Sequence, residues 1–257
     1  MEILDYILLF SSVIIGGGLA FYLRRNNENL MQLILSFSGA YILGITFLHL
    51  VPETYEIGGF DVGLYVLLGF FIQLLLEQLS KGVEHGHIHA LHSTTAAAAF
   101  AVMIGLCLHS FIEGMPLSGY MDLHAHHGAE HNHNHVHDHM SEHGSNHLLW
   151  GIILHKIPAA FALGVLLLIS GFKDKTVILY LAIFGMMSPL GAGLGVFLKS
   201  VNIIDNAIMV NIMGVVIGSF LHIATTILFE TDTNHKIPIN KLIAIAIGLG
   251  ISLLTMH

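Results

Sequence analysis

Eight long apolar runs follow one another along the chain, and most of the links between them are short. A helix needs about 20 mostly apolar residues to cross a bilayer, and each run is roughly that long. A membrane β-barrel would instead show short segments of alternating polarity. The pattern therefore predicts an all-α integral membrane protein with a single domain, residues 1–257, and eight transmembrane helices. These helices cover roughly residues 3–23, 30–52, 60–80, 94–119, 147–171, 176–198, 207–229 and 238–256.

The composition supports this prediction and narrows the set of partners. Apolar and aromatic residues make up 54% of the chain and charged residues 10%, against roughly 25% charged residues in soluble domains. A single cysteine, Cys107, excludes a disulfide framework. The formal net charge is −8 and there is no basic run, so we expect the lipid bilayer and no nucleic acid as partner. We expect a multi-pass protein of the cell membrane; its small size and lack of a targeting peptide favour the bacterial inner membrane.

Lysine and arginine are distributed unevenly between the links. With eight spans, both termini lie on the same side of the membrane. Cytoplasmic links carry the excess of basic residues in membrane proteins. If both termini are outside, the outer links hold only Lys199, and seven basic residues fall in the inner links. The seven are Arg24, Arg25, Lys81, Lys173, Lys175, Lys236 and Lys241. We therefore expect an N-out, C-out orientation.

Three polar side chains inside the apolar runs predict a metal site. His109 and Glu113 are four residues apart and share one face of the fourth span, and His155 lies in the fifth span. Measured from the link between these spans, Glu113, His155 and His109 lie about 9, 12 and 15 Å deep, which is one layer. Two imidazoles and a carboxylate suit Zn²⁺, with Ser110 or water as the fourth ligand. Alternatively, Glu113 pairs with Lys156 and the histidines are core residues.

Prolines follow both histidine positions within the apolar runs. Pro116 and Pro158 lack the N–H that an α-helix needs, so each can bend or break its helix. Pro189 does the same in the sixth span. Broken helices near the middle of the membrane are a frequent sign of a transport site. The sequence thus predicts a helix bundle whose central helices are interrupted beside the candidate site.

Further polar residues are candidates for a pathway or a gate. His49 and Glu53 end the second span on the outer side, where they guide cations or simply form an interfacial helix end. His222 lies deep in the seventh span, about 22 Å from its outer end, and is interpreted as a scaffold or gate residue. Lys156 and Ser188 complete this set within the fifth and sixth spans.

Two links are rich in histidine, which is the commonest metal-ligand side chain. The outer link, residues 120–147, is predicted to capture divalent metal weakly and with little selectivity. The inner link, residues 81–93, is predicted to receive metal on the cytoplasmic side through His85, His87 and His89. The histidines of the outer link are His124, His126, His127, His131, His133, His135, His137, His139, His143 and His147.

These motifs resemble the ZIP (Zrt/Irt-like protein) family of divalent metal transporters. The resemblance rests on residues 109–114 (HSFIEG) and 155–164 (HKIPAAFALG), with support from 47–53 (FLHLVPE), 188–193 (SPLGAG) and 218–221 (GSFL). It implies import of Zn²⁺, or of Fe²⁺ or Mn²⁺, into the cytoplasm. The ligand types favour Zn²⁺, but affinity order alone does not exclude Fe²⁺, Co²⁺ or Cd²⁺, and we expect no organic cofactor. The resemblance also implies an elevator-like movement of the first, fourth, fifth and sixth spans against the second, third, seventh and eighth. Many members of the family are homodimers.

The chain departs from the binuclear members of this family at three positions. Where those members carry carboxylates, this chain has Lys156, Ala159 and, in the sixth span, Ser188. Lys156 brings a positive charge to the place of a second metal ion, and two neighbouring cations repel strongly in a low dielectric. The resemblance therefore implies a single metal ion, bound by His109, Glu113 and His155.

Two other classes of function were weighed against transport. An intramembrane zinc hydrolase would need a general base beside the metal ligands. The chain has no His-Glu-x-x-His motif and Glu113 is already used as a ligand, so we expect no enzyme. The alternative that we retain is a membrane metal sensor or buffer that works through the histidine-rich loop. Deletion of that loop would abolish the function of a sensor but would leave the flux of a transporter.

Overall fold

The computed structural model describes residues 2–23, 28–80, 96–117, 146–229 and 238–254. Within these ranges the regular secondary structure is helical throughout, and no strand occurs there. The helices are α1 (Ile3–Leu23), α2 (Glu28–Ile45), α3 (Val51–Gly58), α4 (Val62–Ser80), α5 (Ala96–Gly114), α6 (Asn146–Ile169), α7 (Asp174–Ser200), α8 (Asn206–Phe229) and α9 (Ile239–Leu254).

The described helices agree with a multi-pass membrane protein. Six helical runs among them are long and apolar enough to cross a bilayer, and one of these is the 48-residue run Gln32–Leu79, which contains parts of α2 and α4. The helix α9 is apolar but shorter, with 16 residues. The prediction of an all-α membrane protein is therefore confirmed, whereas the count of eight spans and the orientation stay predictions.

The second and third predicted spans are joined by helix instead of an open link. A π-helical turn, Thr46–Leu50, follows α2, and the N–H of Val51 donates to the carbonyl of Thr46, five residues earlier. Pro52 has no N–H to donate to an α-helical hydrogen bond. It lies in the first turn of α3, where a missing N–H is tolerated. A short 3₁₀ turn, Gly59–Asp61, then leads into α4.

The prolines act differently in the three helices that contain or precede them. The helix α5 ends at Gly114, five residues before the predicted end of the fourth span, and Met115 and Pro116 form a turn. Because Pro116 cannot donate to the carbonyl of Ile112, that carbonyl accepts the N–H of Met115 at 3.2 Å instead. Pro158 and Pro189, by contrast, lie inside the continuous helices α6 and α7.

The helices pack as two groups. One group is formed by α1, α5, α6 and α7, in which α1 packs on α6 and α7, and α5 packs on α7. The other is formed by α2, α4, α8 and α9, in which α4 and α9 pack on α8 and α2 respectively, and α2 also contacts α8. The groups meet where α4 contacts α5 and where α2 contacts α6.

Glycines bring backbones close together inside each group. A Cβ at Gly16 on α1 would collide with the carbonyl oxygen of Ile157 on α6, and one at Gly218 on α8 with that of Val66 on α4. Small residues of this kind let helices in a membrane approach closely, where van der Waals contact drives association. Each group is thus a tightly packed unit of its own.

Candidate metal centre

Two of the predicted ligands are in direct contact on α5. His109 and Glu113 lie one turn apart, and the His109 Nε2 is 3.2 Å from the Glu113 Oε2. Both side chains are buried. An ionisable group inside a bilayer costs roughly 2.5–3.5 kcal/mol on insertion scales, so it is usually functional and paired.

The third predicted ligand, His155, reaches the same place from α6. The ring centroids of His109 and His155 are 5.9 Å apart and the rings meet edge to face. The His155 side chain is 1% exposed, and neither of its ring nitrogens has a hydrogen-bond partner among the residues that the structure describes. Leaving a buried polar group without a partner costs about 1–3 kcal/mol. The ring of His155 is therefore suited to coordinate a metal ion.

His109 contacts both Glu113 and His155, but the three side chains do not form a closed coordination shell. Within the described ranges, no three His, Cys, Asp or Glu side chains are already arranged to hold a metal ion together. Binding by His109, Glu113 and His155 therefore requires a further movement of side chains or helices.

Ser188 on α7 connects the site to Lys156. The Ser188 hydroxyl lies 3.1 Å from the Glu113 Oε1, 2.8 Å from the carbonyl oxygen of Ser110 and 3.0 Å from the Ser110 hydroxyl. A hydroxyl has one proton, so Ser188 donates to one of these acceptors at a time. The Lys156 ammonium donates to the Ser188 hydroxyl and lies 5.3 Å from the centre of the Phe184 ring. The Ser188 hydroxyl therefore links the Lys156 ammonium to the Glu113 carboxylate by hydrogen bonds.

Two residues that were not predicted orient the His109 ring. The Ser219 hydroxyl on α8 donates to the Gln73 Oε1 on α4 at 2.9 Å and lies 3.3 Å from the His109 Nδ1. Because the Ser219 hydroxyl donates its proton to Gln73, its oxygen can accept a proton from the His109 Nδ1, and in the tautomer with that proton the lone pair is on Nε2. In that tautomer the facing Nε2 of His109 and Oε2 of Glu113 are both acceptors. A cation between them would relieve their repulsion.

His222 is not part of this cluster. Its Nε2 lies 2.6 Å from the Oε2 of Glu77, and its ring meets Phe70 edge to face with 4.8 Å between centroids. All three residues belong to the α2–α4–α8–α9 group. The pair connects α8 to α4, and the role of His222 as a scaffold or gate residue stays a prediction.

The remaining predicted residues either lie apart from this cluster or fall outside the described residues. His49, in the π turn, stacks on His147, which lies in α6 and not in the preceding loop, since that helix begins at Asn146. Glu53 follows one turn later on α3. The inner-link histidines and the outer-link histidines from His124 to His143 lie outside the described residues.

Comparison with known proteins points to one family. The sequence pattern of the ZIP zinc transporter family matches residues 143–256. Zinc transporter ZIP1 of Danio rerio is 26% identical over 174 residues, which are 66% of this chain and 51% of that protein. Protein zntD of Dictyostelium discoideum is 25% identical over 60% of this chain and 22% of its own length. Zinc transporter SLC39A7 of Rattus norvegicus is 32% identical over 25% of this chain and 18% of its own.

These matches agree with the motifs noted in the sequence. The chain spans about half the length of the zebrafish relative and about a fifth of the other two. The family consists of transporters, and the apolar helices agree with a position in the membrane. Residues 143–256 of the chain are thus similar to the ZIP family of zinc transporters, which are transporters and not enzymes.

Proposed function

We propose that this protein imports a divalent metal ion, with Zn²⁺ as the first candidate, into the cytoplasm by alternating access. The proposal rests on one observation: the buried side chains of His109, Glu113 and His155 lie next to one another in the apolar interior. The donors are two imidazoles and one carboxylate, a set found in zinc sites that keep a further position for water or substrate. Fe²⁺, Mn²⁺, Co²⁺ and Cd²⁺ are the other candidate substrates, because affinity order alone does not select zinc.

The packing supports a movement of one helix group against the other. His109, Glu113 and His155 all stand on the α1–α5–α6–α7 group, whereas Ser219 and Gln73 stand on the other. A displacement of the first group would carry the three ligands together and would break the contact between His109 and Ser219. Release of that contact would free the His109 ring to rotate, which is a route for giving up a bound ion.

The position of Lys156 supports the inference that one metal ion is bound per transport cycle. The ammonium is fully buried and is held beside Glu113 through Ser188. In a low dielectric this positive charge disfavours a second cation in the same pocket. It also balances the charge of Glu113. We therefore propose a mononuclear site, with Ser110 or water as the fourth ligand.

Uptake of radioactive Zn²⁺ into proteoliposomes tests the proposal. We expect protein-dependent uptake by the wild type, retained with a changed KM when residues 120–143 are deleted. The deletion separates a transporter from a sensor that works through the histidine-rich loop. Uptake by wild type no faster than by protein-free vesicles would refute transport of zinc.

Substitution of Ser219 by alanine should weaken uptake without abolishing it. The change removes the acceptor for the His109 Nδ1 proton, and partners of metal ligands typically contribute 10–100-fold to metal affinity. We expect the KM for zinc to rise on the order of tenfold with a smaller change in kcat. Ser12→Ala is the matched control, because Ser12 is a buried serine whose hydroxyl donates to the carbonyl of Leu9 in its own helix. An unchanged KM in Ser219→Ala would argue against the orienting role.

A further inference from the structure

The two stacked histidines at the predicted outer end form a second cluster of metal-ligating side chains. The rings of His49 and His147 lie 4.1 Å apart between centroids, with an angle of 14° between their planes. His49 belongs to the π turn after α2 and His147 to the first turn of α6. We infer that His49 and His147 bind a divalent metal ion, separately from the buried site of His109, Glu113 and His155.

The backbone around His49 supports a functional role. The π turn Thr46–Leu50 interrupts an otherwise α-helical run. Single π turns inside α-helices are frequently found at functional sites. Here the turn contains the histidine and ends two residues before Pro52, so position and chemistry point to the same residue.

Glu53 supplies a third candidate ligand for this site once side chains move, because no three such side chains in the described ranges are already placed to hold a metal ion. It follows His49 by four residues, and its carboxylate is close enough for its charge to act on that ring. His49, Glu53 and His147 are all partly exposed, so a bound ion would keep water ligands. Two imidazoles, one carboxylate and water form a common zinc environment.

Metal binding at this site requires one ring to turn. The nitrogen lone pairs lie in the ring planes, so two nearly parallel rings do not aim at one point. The χ2 torsion of histidine has a broad energy well, so a ring can turn about its Cβ–Cγ bond at low cost until a nitrogen of each ring faces one ion. The ion would therefore replace the stacking contact, and both imidazoles would be neutral when they bind it.

A metal ion at this site would affect the movement of the two helix groups, because the site lies between them. His49 and Glu53 stand beside α2, whereas His147 stands on α6, so the site joins the two helix groups. It also lies where the histidine-rich loop enters α6. A bound ion would link the groups at their predicted outer end and oppose their relative movement. This consequence rests on the proposed transport function, whereas the binding itself does not.

A count of bound zinc tests the inference in the full-length protein. The background variant has the histidines of residues 81–93 and 120–143 replaced by asparagine, so that loop binding does not interfere. Equilibrium dialysis of this variant in detergent against Zn²⁺, followed by metal analysis, should give two ions per chain. His147→Gln and His155→Ala should each lower the count to one, and together to none. His257→Gln is the matched control and should leave two.

The outcomes separate this inference from the proposed transport site. A count that stays at two in both His147→Gln and His49→Gln would overturn the inference; the second variant covers the case in which the first does not fold. One ion that is lost in His155→Ala and kept in His147→Gln would overturn it as well. One ion that is lost in His147→Gln and kept in His155→Ala would support the outer site and contradict the buried one.

A flux measurement tests the mechanical consequence. Because an occupied outer site links the two groups, the uptake rate of the wild type should pass through a maximum and fall at higher zinc concentrations. In His147→Gln this decline should disappear, with the rate at saturation at least several-fold above that of wild type at the same concentration. A decline of equal size in both proteins would contradict the link.

Discussion

Glu113→Gln should reduce zinc uptake into proteoliposomes by on the order of 100-fold or more. The substitution keeps the size of the side chain and removes the negative charge that faces the His109 Nε2 at 3.2 Å. Loss of a residue that merely supports a ligand costs 10–100-fold in affinity, and loss of a ligand itself should reach at least the upper end of that range. It would also leave the buried Lys156 ammonium without its nearby countercharge.

Glu56→Gln is the matched control for this measurement. Glu56 carries the same charge on α3 but is exposed, so its replacement should leave kcat/KM unchanged. His155→Ala should reproduce the loss seen in Glu113→Gln, because it removes the imidazole whose nitrogens have no partner in the described part of the chain. Near-normal uptake by both variants, at equal protein incorporation, would place the transported ion elsewhere.

Gly191→Ala should destabilise the protein and strongly lower uptake. A Cβ at Gly191 on α7 would collide with the carbonyl oxygen of Phe111 on α5. The two helices would have to separate, at a cost of about 1–3 kcal/mol for an overpacked contact. Ser188 lies one turn earlier on α7, so the separation would also pull its hydroxyl away from Glu113 and Ser110. We expect a lower unfolding temperature and uptake reduced about tenfold.

Gly193→Ala tests whether this effect is local to the helix contact. Gly193 lies two residues further along the same helix, and a Cβ there would meet no atom within 4 Å. Its unfolding temperature should match wild type or rise slightly, since alanine favours a helix more than glycine does. Equal losses in both variants would mean that the glycines matter for flexibility of α7 and not for its contact with α5.

The three predicted ligands were accessible from the sequence because their signals are local. His109 and Glu113 share a helix face by spacing alone, and His155 could be placed at the same depth from the rise of a helix. Ser219 and Gln73 could not be found in this way. They are 146 positions apart. Neither residue type points to a metal site by itself, and the two come together only when α4 and α8 pack against each other.

The interruptions of the helices were only partly predictable. Pro116 and Pro158 carry the same local signal, yet one ends a helix and the other lies inside one. The difference arises from the residues after each proline and from the neighbours that the helix packs against, which spacing does not encode. The π turn at His49 likewise cannot be predicted from the pattern of apolar residues. The nearby Pro52 indicates only that the helical hydrogen bonds change in this region.

Zinc K-edge X-ray absorption on the full-length protein tests the central claim most directly. The protein would carry asparagine for the histidines of residues 81–93 and 120–143, together with His147→Gln, and would be loaded with one equivalent of Zn²⁺. We expect one ion per chain with two imidazole nitrogens and only oxygen besides, and loss of that ion in His155→Ala. An unchanged spectrum and an unchanged zinc content in His155→Ala would contradict the assignment of the transport site to His109, Glu113 and His155.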